Sequence, residues 1–293
     1  MKNWHYALMV FLGGCCYGIL STFVKLAYSA GFTMPAVSGS QFLFGTSMIW
    51  MVTIFTKKKK ISLIQTGKII LAGTPMGLTG LLYYQSLQTL PASLAIIFLF
   101  QFIWMGTFLE WFVYKRRPSS EKFLSIGILL TGSILAAGVL KVSAGPIAWE
   151  GAALGLLAAF TFSLFILLSS MIGKNVPSIQ KSALLSTGGM IITVLLFPPI
   201  ILNDLPTLLD ITPYGLILGI FGVVLPPFFF SIGMPHVGPG LGTILTASEL
   251  PVAVVLSAIV LAEEISPLQW IGVCVILAGI IVGNKNGKIE KES

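Results

Sequence analysis

Charge is what this sequence has least of. Its 293 residues include 17 Lys and Arg and 10 Asp and Glu, so only 9% are charged. A soluble domain of this size carries about a quarter of its residues as charges. Together with 56% apolar residues and a mean hydropathy of +0.96, this scarcity excludes an ordinary soluble enzyme, a disordered chain and a nucleic-acid-binding domain. Cysteine and histidine are also sparse. Cys15, Cys16 and Cys274 all lie inside apolar runs, with neither metal-ligand spacing nor a disulfide framework. His5 and His236 are too few and too peripheral for a metal centre. No Walker Lys-Ser/Thr, Cys-x-x-Cys, Gly-x-Ser-x-Gly or zinc-protease motif occurs, so neither ATP nor any cofactor is expected. A membrane-embedded enzyme would need carboxylates or histidines clustered on one face, and the sequence offers no such cluster.

What the chain does have is long apolar runs. A membrane-spanning helix needs roughly 20 apolar residues, and breaks in the pattern give ten candidate spans near 5–29, 34–56, 67–88, 91–114, 120–140, 149–172, 179–203, 213–234, 238–262 and 267–284. The separators carry turn chemistry, among them Pro91, Gly145-Pro146, Asn175-Val176-Pro177, Pro206, Pro213 and Gly238-Pro239-Gly240. The expected fold class is therefore an all-α polytopic membrane protein with ten transmembrane helices. The basic residues are sorted along it. With the N-terminus in the cytoplasm, 15 of the 17 fall on cytoplasmic segments: Lys2, the Lys57–Lys60 run with Lys68, Lys115 to Arg117 with Lys122, Lys174 with Lys181, and Lys285, Lys288 and Lys291. Lys141 falls outside and Lys25 lies within the first span. This asymmetry accounts for the basic pI of about 9.3 without a nucleic-acid surface, and predicts a multi-pass protein of the cell membrane with both termini cytoplasmic.

The sequence also repeats itself weakly. A shift of 142 brings Pro35 onto Pro177 and Ser21 onto Ser163, and a shift of 147 brings Ser119 onto Ser266 and Leu130-x-Gly132 onto Leu277-x-Gly279. The expected organisation is a first five-helix repeat over 1–141, a second over 149–284 and a cytoplasmic tail over 285–293. Five spans is an odd number, so the two halves would be inverted, an arrangement common in secondary transporters with a substrate site near the midplane.

Glu249 is the clearest charge that neither solubility nor topology explains. It lies about eleven residues into the ninth span, near mid-membrane at about 1.5 Å per residue. A carboxylate there costs at least a few kcal/mol unless it is paired, wet or protonated. It reads either as a proton-coupling or cation site or as a protonated packing group. Pro251 should loosen the helix beside it, and Thr246 lies a turn before. Tyr17, Ser21 and Lys25 recur at i, i+4 and i+8 on one face of the first span. Lys25 reads as a snorkelling interfacial residue or as a pathway cation that pairs with Glu249. Tyr84 and Gln88 share a face in the third span, as do Gln101 and Trp104 in the fourth, and both pairs suit a pocket for a small, partly polar molecule, while Tyr84 also reads as part of an interfacial aromatic belt. Gln41 reads as glue between helices.

These residues carry a resemblance. The tract from Leu261-Ala262-Glu263-Glu264 through Ser266-Pro267-Leu268-Gln269-Trp270-Ile271-Gly272 to Leu277-Ala278-Gly279, the Thr246–Pro251 stretch, Tyr17-Gly18 followed by Lys25, and Arg117-Pro118-Ser119 resemble the EamA branch of the drug/metabolite transporter superfamily. The resemblance implies ten helices in two inverted repeats around a cavity lined mainly by helices one, three, four, six, eight and nine. It also implies alternating-access export of amino acids or related small metabolites, with protons as the candidate coupling ion. The chain departs from the pattern at Gln41, where many members carry Arg, and at Trp104, near the usual Pro. Efflux of lipophilic cations is the alternative transporter reading, and a channel-like or non-transporting scaffold is the alternative of another class. Oligomeric state and substrate identity are not legible.

Overall fold

The structure is a computed structural model that describes residues 3–90, 92–115, 117–138, 148–197 and 205–286. Lys2, Pro91, Arg116, Lys141, the Gly145-Pro146 turn, Asp204, Lys288 and Lys291 lie outside the described residues, as does most of the expected tail. Every regular element among the described residues is helical. In chain order these are α1 (Asn3–Ser29), α2 (Met34–Ile54), α3 (Leu63–Thr89), α4 (Ala92–Phe100), α5 (Phe102–Tyr114), α6 (Ser120–Ala136), α7 (Trp149–Met171), α8 (Ser178–Leu196), α9 (Leu205–Gly219), a π-helical turn (Ile220–Val224), α10 (Leu225–Val237), α11 (Pro239–Thr246), α12 (Glu249–Val260) and α13 (Pro267–Asn286). Eight continuous helical stretches are long and apolar enough to cross a membrane, with α4–α5, α9–α10 and α11–α12 each counting as one. The two remaining expected spans fall on α6, which has only 17 residues, and on α3, a continuous helix of 27 residues whose apolar run is interrupted by Gly, Thr, Gln and Pro75.

Two rims are defined by contacts between helix ends. At the N-terminal rim, the Tyr6 ring stacks on His236 at 3.6 Å, the Lys59 amide donates to Gln180 Oε1 at 2.9 Å, and Lys122 pairs with Glu110 at 3.4 Å. At the opposite rim, Lys25 pairs with Glu263 at 3.0 Å and Gln269 donates to the Ala136 carbonyl at 3.4 Å. Packing between the two halves of the chain is reciprocal. α1 lies on α10 and α12, while α7 lies on α3 and on α4–α5; α2 lies on α9, while α8 lies on α3. Three pairs face their own counterparts: α2 with α8, α5 with α11 and α6 with α13.

Small residues set the closest crossing. A Cβ on Gly73 or Gly188 would run into the backbone carbonyl of Leu185 or Ile70, so α3 and α8 can meet backbone to backbone only with glycine there.

Several expected boundaries are corrected. Pro206 and Pro213 were expected to separate spans but lie within α9. Pro206 is the second helical residue, where a backbone N–H has no intrahelical acceptor in any case. Further on, the ring of Pro227 deprives the Val223 carbonyl of its usual donor, and the Ser186 hydroxyl supplies one at 2.8 Å. Lys181, which the sequence places on an expected cytoplasmic segment, is 1% exposed. Its Nζ donates to the Ser169 carbonyl at 2.6 Å, in the last turn of α7, where carbonyls lack helical partners and a cation is favoured.

Candidate functional site

The fourth and ninth expected spans are both broken, at positions related by the 147-residue shift. In the first half the break is made by a side chain. Gln101 Nε2 takes the Ile97 carbonyl at 3.0 Å, the acceptor its own amide would use in an α-helix, so that amide bonds Phe98 instead at 3.3 Å. Gln101 Oε1 then accepts from Trp104 Nε1 at 2.8 Å. In the second half the break is made by proline. Pro251 cannot donate to the Ala247 carbonyl, and the Leu250 amide takes it in a tighter turn at 3.4 Å. The chain therefore restarts as α12 with Glu249 as its first residue.

This restart is held against α1. Gly18 faces the Glu249 backbone carbonyl so closely that no Cβ fits, and the Ser248 hydroxyl donates to the Phe11 carbonyl at 2.8 Å. The result is a cavity of about 660 Å³, including the space at its mouth, within the usual range for small-molecule sites. Glu249, Tyr17 and Ser21 form one wall. The opposite wall is a face of α3 at i, i+3, i+4, i+7 and i+8: Met76, Thr79, Gly80, Tyr83 and Tyr84. Leu20 of α1, Gln41 and Phe42 of α2, Leu99 of α4, Phe162 of α7 and Gly222 of the π-helical turn complete it.

The polar lining is tied down. Tyr84 Oη donates to Gln41 Oε1 at 3.0 Å, and Gln41 Nε2 rests against Gly222, where a Cβ would displace it. Tyr17 Oη is buried with no hydrogen-bond partner among the described residues. Around Tyr17 the aromatic rings close ranks. Its ring meets Phe162 edge-on at 5.4 Å and Phe230 at 5.9 Å, and Phe162 meets Phe102 at 4.9 Å. This apolar group seals the space beside Glu249.

The structure brings together Glu249, Tyr17, Ser21 and Tyr84 of the residues singled out in the sequence, and does not bring the others. Lys25 does not pair with Glu249; it reaches the opposite rim and pairs with Glu263, both side chains being more than two-fifths exposed. Gln88 is exposed near the end of α3. Gln101 and Trp104 bond each other across the α4–α5 break rather than line the cavity. Thr246 is fully buried and donates to the Gly242 carbonyl at 2.8 Å. Sequence reasoning missed Gln41 as a lining residue, because a glutamine that joins helices and one that lines a cavity look alike in sequence. It also missed Glu110, whose carboxylate sits against Gly238 and Gly240 at the start of α11.

Outside the spans, Glu263 is fixed from two sides. The Ser257 hydroxyl donates to its Oε2 and Lys25 to its Oε1. Partial burial pushes the Glu263 carboxyl up, but the Ser257 hydrogen bond and then the hydrogen bond and charge of Lys25 outweigh it and hold the group below its ordinary value.

Residues 4–138 and 149–284 each match the EamA-like transporter family. The chain belongs to that family. It is similar to the uncharacterized transporter YwfM of Bacillus subtilis (strain 168), at 24% identity over 96% of this chain and 94% of that protein. It is also similar to the uncharacterized transporter YetK of the same organism, at 31% identity over 58% of this chain and 53% of that protein. A crystal structure of another protein shares its fold, with a TM-score of 0.72 at 16% identity over 94% of this chain and 98% of the other. Family membership and the apolar helices together make this EamA chain a multi-pass membrane transporter, with the Glu249 cavity as its candidate site.

Proposed function

We propose that this protein is a secondary active exporter of small metabolites, amino acids or related compounds, that works by alternating access and exchanges its cargo for protons at Glu249. The observation that carries this reading is the carboxylate itself. Glu249 faces the cavity from the middle of a spanning stretch, and no cation pairs with it among the described residues. A lone carboxylate at that depth has to be neutralised by a proton or by a cationic ligand, and a group that accepts either in turn can couple the two flows. In this reading α3 and α6 also cross the membrane, giving ten spans in two inverted halves over 1–141 and 149–284. The reciprocal packing of α1 on α10 and α7 on α3 supports the inversion. The sorted basic residues support cytoplasmic termini in the cell membrane. Tyr17, Ser21, Tyr84 and Gln41 orient the cargo, while Lys25 closes the outer rim with Glu263.

The test is transport in liposomes reconstituted with the purified protein. A pH gradient should drive saturable accumulation of a bound amine or amino acid, and preloaded unlabelled cargo should produce counterflow. Flux without saturation or counterflow would replace the carrier with a channel; no flux for any ligand that binds would leave a scaffold.

A further inference from the structure

Membrane orientation accounts for basic residues gathering at the N-terminal rim, but not for the want of acids around some of them. No Asp or Glu occurs among residues 1–109 or 151–203. These two acid-free stretches meet at one corner of the rim. The Lys59 amide donates to Gln180 Oε1 at 2.9 Å, and Gln180 Nε2 returns a hydrogen bond to the Lys59 carbonyl at 3.0 Å. This two-way clasp fixes the α2–α3 loop on the first turn of α8. Ser62 caps α3 at the far end of the loop, accepting from the Gln65 amide at 3.2 Å. Gly173 faces the Ile69 side chain, which brings the α7–α8 turn that carries Lys174 beside the α3 turn that carries Lys68.

Lys57, Lys58, Lys59, Lys60, Lys68 and Lys174 are all exposed, and none forms an ion pair among the described residues. By contrast, Lys122 pairs with Glu110 at 3.4 Å, Lys115 lies over the Phe112 ring at 4.4 Å and Lys181 is buried against the Ser169 carbonyl. Positive charges held in one corner repel one another, and an anion from outside the chain relieves that repulsion. The neighbouring side chains indicate its source. Phe55, just past the end of α2, is 86% exposed, and Leu63, at the start of α3, is 88% exposed, with Ile54 and Ile64 also exposed beside them. In a multi-pass membrane protein, apolar side chains exposed at helix ends face acyl chains, so the lysines between them stand at the level of the headgroups.

We propose that this corner binds the headgroup phosphate of an anionic phospholipid, with the Lys57–Lys60 run as its main contact and Gln180 as the residue that positions the run. The site stands apart from the exporter reading, because it holds whether or not Glu249 exchanges protons.

Lipid binding to the purified full-length protein in a neutral detergent, counted by native mass spectrometry, tests it. Phosphatidylglycerol should bind at least ~10-fold more tightly than phosphatidylcholine, since one lysine near an anionic headgroup contributes about five-fold. Replacing Lys57, Lys58, Lys59 and Lys60 together by Gln should abolish that preference, with the melting temperature in detergent reporting the fold. Replacing Lys285, Lys288 and Lys291 by Gln removes charge from a different stretch and should leave the preference in place. Gln180→Ala keeps every charge but frees the loop, and should weaken the preference roughly 2- to 5-fold, the scale of a lost hydrogen bond. Equal binding of the two lipids by the unsubstituted protein overturns the proposal outright, whatever the variants do. A preference that falls equally in the two lysine variants also overturns it, because net charge would then be the cause. So does a preference unchanged by Gln180→Ala, which would leave loose charges in place of a positioned site. Inorganic phosphate at the same concentration should not displace the lipid; displacement would make the occupant a soluble anion and overturn the lipid assignment.

Discussion

The two broken helices occupy matching places in the two halves and break for different reasons. In α4–α5 a glutamine side chain takes a backbone carbonyl and then turns away to bond Trp104. In α11–α12 a proline withholds a donor, and the residue released at the break is Glu249, facing the cavity. The repeated feature is thus the interruption, and the carboxylate belongs to one copy. A symmetric scaffold can supply two weak points in the bundle while only one of them presents an acid to the cavity.

The sharpest way to break this comparison is to move the acid to the other copy. Phe102 matches Glu249 under the 147-residue shift, but it is fully buried between Phe100 and Phe162. Phe102→Glu should prevent recovery of folded protein on size-exclusion chromatography, because losing a buried Phe alone costs about 3–5 kcal/mol and an unpaired buried charge adds to that. Next in size is the seam that holds the acid-bearing break. Gly18→Ala forces a Cβ against the Glu249 carbonyl and should destabilise by roughly 1–3 kcal/mol, read as a lowered melting temperature. A smaller effect is expected in the other copy. Gln101→Leu returns the Ile97 carbonyl to the backbone, so amide exchange across residues 98–105 should slow while stability stays within about 1 kcal/mol.

These predictions show which parts were legible. Glu249 could be found in the sequence because one carboxylate inside a long apolar run has an electrostatic cost that nothing nearby offsets. The Pro251 break could be anticipated because proline lacks an amide hydrogen. The Gln101 break could not, because glutamine competes for a backbone carbonyl only when its side chain folds back, a choice that sequence spacing does not encode. The aromatic seal of Phe102, Phe162 and Phe230 was equally hidden, since a phenylalanine facing lipid, core or cavity reads the same. The burial of Lys181 was hidden as well, because nothing near a helix start in the sequence shows that the end of α7 covers it.

The smallest expected effect concerns the rim. The Glu263 carboxyl is held below its ordinary value, so its contribution to stability is complete above the ordinary carboxylate range and is lost as pH falls through the depressed value. Both partners are well exposed, so Lys25→Met should cost no more than about 1 kcal/mol and should flatten the acid limb of the melting-temperature profile.

The claim that one copy carries the chemistry is tested most directly on Glu249→Gln in liposomes, with counterflow and pH-gradient-driven accumulation of the same cargo measured on one preparation. The account predicts that gradient-driven accumulation disappears. Accumulation equal to that of the unsubstituted protein, at equal protein density, would contradict it.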